Sequence, residues 1–160
     1  MIVENKKGRF LLRPDSPLNY RRVYADTFSL AASLSDREEL FRGLAGLMDQ
    51  AAMEGRELEV VLVLDAWSDT HLPLAREYAR LAEEYGLPYT LSERKPAELY
   101  AVELCELCAP DCAVLTRDYD AINAAVKCPV LVARAGRAYR ARPWRRGRGG
   151  AAPRRGGAGR

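Results

Sequence analysis

The chain has 160 residues, 48% of them hydrophobic and 29% charged, with a net charge of +3. That is enough for one domain with a usable core, and the composition excludes a low-hydrophobicity disordered chain or a collagen-like one. No apolar run reaches the roughly 18 residues of a membrane span, and the start, "MIVENKKGRF", lacks a secretory leader; the expectation is a cytoplasmic protein with no membrane partner.

The elements follow in chain order. "IVENKKGRFLL" predicts two short strands around a Lys-Lys-Gly turn, a hairpin extension over residues 1–20. Two prolines predict a loop over 13–19. "RRVYADTF" predicts a strand with Asp26 at its tip. Ser35 and Glu38 have capping-box spacing ahead of a helix whose Leu40, Phe41, Leu44, Leu47, Met48 and Ala51 share one face, and Gly55 ends it. "LEVVLVLD" is a continuous apolar run, as in a strand covered on both faces, and it too ends in acid, Asp65. Asp69 or Thr70 is the expected cap of a helix carrying Leu74, Tyr78, Leu81 and Tyr85, closed by Gly86. "LPYTL" predicts a strand. Pro96 suits a first helical position, with Glu98 in that first turn. "DCAVLT" predicts a strand, 119–126 a short helix, and "CPVLVAR" a last strand.

This alternation predicts a mainly parallel α/β sheet over residues 21–134, with its functional crevice beyond the carboxyl ends of the strands. Asp26, Asp65 and Asp118 end strands there, Asp120 follows, and Glu98 enters from a helix start. Carboxylates gathered at one rim repel each other, and a hard divalent cation, Mg²⁺ or Mn²⁺, relieves that repulsion. Each acid also has a plainer reading, as a helix cap or a first-turn dipole partner.

"VYADTF", "VVLVLDAW", "KPAELYAVELC", "AVLTRDYDAI" and "VKCPVLV" resemble, in order and spacing, segments of the PIN-like nuclease superfamily, in its YacP/NYN-like branch. The resemblance covers about residues 21–134 and implies a three-layer α/β/α fold and metal-dependent endonucleolytic cleavage of RNA. It implies Asp26, Asp65, Glu98 and Asp118 as metal ligands, Asp120 as a further candidate, and Thr116 orienting a carboxylate or a water. The family's Asn after its first Asp is missing from "DTFSL", which keeps a catalytically silent RNA-binding or scaffold domain as the alternative. A weaker alternative is a Toprim-type domain built on Glu4, Asp65 and Asp69.

The remaining signals are compositional. Ten arginines and no acid lie between Arg134 and Arg160, so residues 1–133 hold 15 cations against 22 acids, a net −7. Residues 135–160 read as a disordered Arg/Gly-rich tail in which Arg137, Arg140, Arg142, Arg145, Arg146 and Arg148 bind phosphates, while Tyr139 and Trp144 stack on bases. The bland counterpart is a solvated polycation. RNA is the expected partner, with a second copy of the chain or a ribosomal or other RNA–protein assembly as further candidates. One Gln and three Asn lean toward a thermophilic source. Cys105, Cys108, Cys112 and Cys128 are read as gathering at the amino ends of neighbouring strands, as free thiols, a disulfide or a structural metal site. A single histidine, His71, gives little support to a Ser-His-Asp or Cys-His mechanism, and no glycine-rich phosphate loop is present.

Overall fold

The computed structural model describes residues 1–145. They form one α/β unit around a single eight-stranded sheet, mostly parallel. The strands are β1 (Ile2–Asn5), β2 (Gly8–Asp15), β3 (Arg22–Asp26), β4 (Glu59–Asp65), β5 (Tyr89–Ser92), β6 (Cys112–Thr116), β7 (Val130–Arg134) and β8 (Arg137–Pro143). The helices are α1 (Thr27–Ala31), α2 (Arg37–Met53), α3 (Leu72–Glu84), α4 (Ala97–Glu106) and α5 (Asp120–Ala124). The sheet order is β1-β2-β8-β7-β6-β3-β4-β5. β7, β6, β3, β4 and β5 run parallel; β1, β2 and β8 continue the sheet antiparallel.

The apolar pattern explains two cores, one on each face. Val23 and Ala25 of β3, Leu62 and Leu64 of β4 and Leu115 of β6 pack with Leu30, Phe41, Leu44, Ala75 and Tyr78 from α1, α2 and α3. The alternate residues, Tyr24, Val63 and Val114, pack with Ala97, Ala101, Ala121 and Ile122 from α4 and α5, and with Phe10 and Leu12 of β2. β4 and β6 read as unbroken apolar runs because both of their sides are covered. No described helix is long and apolar enough to cross a membrane.

Several expectations are corrected. Residues 13–15 are strand, with Pro14 opposite Tyr139. β1 ends its pairing where Met1 O accepts from Leu12 N at 2.7 Å; two residues on, Pro14 directs its missing N–H toward that same open side, where a strand tolerates proline. The cap of α2 is Asp36, which accepts from Glu38 N at 3.0 Å, not Ser35. Neither Asp69 nor Thr70 caps α3; His71 holds that position and makes a 2.8 Å contact with Ser68 Oγ. A short helix, α1, follows Asp26 directly. The segment assigned to the tail contains a full strand: β8 lies between β2 and β7, and its Tyr139 packs into the core instead of standing free. Arg137, Arg140 and Arg142 are therefore strand residues, with Trp144 and Arg145 just after. Arg146 and Arg148 lie outside the described residues. The cysteines divide: Cys108 and Cys112 form a disulfide, while Cys105 and Cys128 are buried free thiols.

Candidate metal centre

Three parallel strands, β3, β4 and β6, are neighbours in the sheet, so their carboxyl ends share one rim. Asp26 ends β3 and is almost fully buried. Its Oδ2 accepts a hydrogen bond from Thr116 Oγ1, at the end of β6, over 2.7 Å. Thr116 Oγ1 in turn accepts from Asp118 N at 2.8 Å, so one hydroxyl fixes a carboxylate on β3 and the start of the loop after β6. Ser29, one turn into α1, adds to this node: its Oγ lies 3.3 Å from Thr116 Oγ1 and accepts from Arg117 N at 3.0 Å. Burial pushes the Asp26 carboxyl up to about 6 against the pull of the Thr116 and Ser29 hydrogen bonds, and the charges of Asp65 and Asp118 add to the rise.

Asp65 ends β4 and is also buried. Its Oδ1 accepts from Trp67 Nε1 and from Ala97 N, each at 2.8 Å. Ala97 is the first residue of α4, and the residue before it, Pro96, has no side-chain acceptor to offer. Asp65 supplies the missing cap from another strand and thereby fixes where Glu98 emerges.

Glu98, Asp118 and Asp120 close the arrangement. One carboxylate oxygen from each lies within 4.8 Å of the others. All three are partly buried. Asp118 Oδ1 accepts from Asp120 N at 2.9 Å, a local turn that sets the two aspartates side by side. Burial pushes the Glu98 carboxyl up to about 7, and the charges of Asp26, Asp118 and Asp65 push in the same direction. Three hard oxygen donors at this spacing fit a divalent cation, and their mutual repulsion is what such an ion would cancel. Among the described residues this is the one group of three or more His, Cys, Asp or Glu side chains so arranged.

The triad gathers two of the four expected ligands, Glu98 and Asp118, with Asp120. Asp26 and Asp65 stand behind it, near enough for their charges to act on Glu98, with one oxygen each already bound to Thr116 or to Trp67 and Ala97. Glu4, Asp65 and Asp69 are not brought together: Glu4 sits on β1 in an ion pair with Arg9, at the far edge of the sheet from β4.

Three neighbours escaped sequence reasoning. Lys7 Nζ pairs with Asp120 Oδ2 at 2.6 Å across 113 residues of chain, a contact with no local signal. Ser29 follows Asp26 at helical spacing, and Trp67 follows Asp65 by two, the offset at which a side chain can turn back on its neighbour. No model of a known protein family matches this chain, and no curated protein matches it either.

Proposed function

We propose that this chain is a metal-dependent endoribonuclease with a PIN-like α/β/α domain. The observation that carries the reading is the meeting of Glu98, Asp118 and Asp120 within 4.8 Å at the carboxyl ends of parallel strands. Mg²⁺ or Mn²⁺ held there would stabilise charge on a scissile phosphate and lower the pKa of a water. The chain's own part is positional. Thr116 locks Asp26, and Asp26 and Asp65 deepen the negative potential behind the triad. Asp65 holds the first turn of α4, so Glu98 is presented from a fixed helix end. The order and spacing of the PIN-like segments support RNA as the substrate, cut without a covalent enzyme intermediate.

The test is Mn²⁺-dependent cleavage of labelled single-stranded RNA, with Asp118→Asn as the control. Cleavage that survives Asp118→Asn, or that ignores chelation, defeats the proposal.

One observation favours a second reading, a silent RNA-binding domain: Lys7 already places a cation on Asp120. That pair is exposed, at 47% and 40% of the two side chains, so water competes for it and its displacement costs little. Absence of Mn²⁺ binding by calorimetry in wild type, together with Mn²⁺ binding in Lys7→Gln, is the result that selects this second reading.

A further inference from the structure

β2 and β8 are covered on one face and open on the other. Paired residues in an antiparallel ladder share a face, and side chains alternate along each strand. Phe10 and Leu12 of β2 and Ala141 of β8 point into the core that α4 and α5 cover. The opposite face would continue the layer of α1, α2 and α3, but those helices pack over the parallel strands. On the open face Arg13 stands directly opposite Arg140, and Leu11 opposite Arg142. All three arginines are exposed. The same face continues past the strand end, where Trp144 N donates to Arg9 O at 2.8 Å and the Arg9 guanidinium stacks 4.9 Å from the Trp144 ring.

Like charges directly opposite across two strands destabilise a sheet. No ion pair offsets them: among the described residues Arg13, Arg140, Arg142 and Arg145 make none, and residues 146–160 contain no Asp or Glu. Asp15, on the same face at the end of β2, feels the charge of Arg140 but is held by other donors. Asp15 accepts from Tyr20 Oη, Asn19 Nδ2 and Ser16 N. Glu106 accepts from the amides of Val126, Lys127 and Cys128. A groove of about 560 Å³ opens beside these residues, lined by Arg13, Lys127, Arg140, Arg142 and Arg145 and by no carboxylate.

We propose that this face binds the phosphodiester backbone of single-stranded RNA, with Arg13, Arg140 and Arg142 on successive phosphates and Trp144 as an aromatic surface for a base. Arg140 and Arg142 repeat at about 7 Å along the strand, a distance of the order of the step between phosphates in an extended strand. Bidentate guanidinium groups suit phosphate, and aromatic rings among them suit unpaired bases. The choice of RNA over another polyanion rests on the nuclease reading; the surface itself does not. The groove borders Cys128 and Pro129, at the amino end of β7, and extends to Ile122 and Asn123, within one turn of α5 from Asp120 of the acid triad. The face would therefore hold RNA that leads up to the site.

The experiment is fluorescence anisotropy of a labelled oligouridylate with the full chain in EDTA, so that binding is scored whether or not the protein cuts RNA. Arg13→Gln with Arg140→Gln should weaken binding roughly tenfold at low salt and reduce the slope of log K against log salt by about 1.4, at about 0.7 per lost phosphate contact. Its melting temperature should not fall, because a repulsive pair has been removed; if it does fall, Arg142→Gln carries the same test with a slope change of about 0.7. Unchanged affinity and slope overturn the proposal. Displacement of the RNA by polyglutamate as readily as by unlabelled RNA also overturns it, in favour of an acidic protein. Loss of binding in the arginine variant alongside a wild type that never cuts RNA removes the nuclease reading and leaves this surface standing.

Discussion

The two halves of the sheet handle charge in opposite ways. In the parallel half, β4 and β6 have both faces buried, so polar chemistry is pushed to the strand ends, where Asp26, Asp65, Thr116 and Asp118 collect. In the antiparallel half, β2 and β8 bury one face only, and arginines predominate on the other. Two-sided burial yields a compact acidic point; one-sided burial yields a long basic surface. A single sheet thus separates the two signs of charge without a domain boundary.

The strongest way to sharpen that contrast is at the acidic point. Asp118→Asn should reduce RNA cleavage by about 10³-fold, measured in single-turnover assays, because it would remove a ligand from the proposed centre, worth several kcal/mol of charge stabilisation. Next is the core beneath it. Leu62→Ala, at a fully buried position of β4, should cost roughly 3 kcal/mol by urea unfolding, while Leu11→Ala on the half-open face of β2 should cost well under half of that. Equal costs would mean that the halves do not differ in burial as described. Third, Mn²⁺ at a hundredfold excess over its Kd should stabilise the fold by about 2.7 kcal/mol, read by calorimetry, and should do nothing for Asp118→Asn.

The fourth prediction concerns pH in EDTA. Asp26 and Glu98 are raised to about 6 and about 7 in the folded chain, above the ordinary carboxylate range. As pH rises from about 4 to about 7, the unfolded chain releases these protons before the folded one, so the metal-free fold loses stability over that window. Asp26→Asn should flatten the loss by an amount on the order of 3 kcal/mol; a wild type and variant with parallel pH profiles would contradict a shifted Asp26. The smallest effect is expected at Lys7→Gln. Breaking an exposed pair should change stability by less than about 1 kcal/mol, yet it frees Asp120 and should tighten Mn²⁺ binding.

What the sequence made legible follows from what each feature depends on. The β4 run and the heptad-like face of α2 depend on local pattern, so both were readable. The turn from Thr116 to Asp120 is self-contained: Thr116 Oγ1 takes Asp118 N and Asp118 Oδ1 takes Asp120 N, all within five residues. β8 was hidden although its alternation is visible, with Tyr139 and Ala141 inward and Arg140 and Arg142 outward. Its arginine and glycine content imitates a solvated tail, and the strand exists because β2 and β7 offer edges on both sides. The Lys7–Asp120 pair joins the hairpin to the start of α5, 113 residues on, and leaves no trace at either position. Asp65 read as a ligand because strand-end acids often are; its hold on Ala97 N becomes visible only once α4 is placed against β4.

That hold also brings an indole to the rim. Trp67 donates to the same Asp65 oxygen that caps α4, and the residue is 43% exposed. An excited indole senses charge beside its nitrogen, so the emission of this side chain would report an ion bound at the proposed centre, and Trp67→Phe subtracts it from the background left by Trp144, the other tryptophan of the chain.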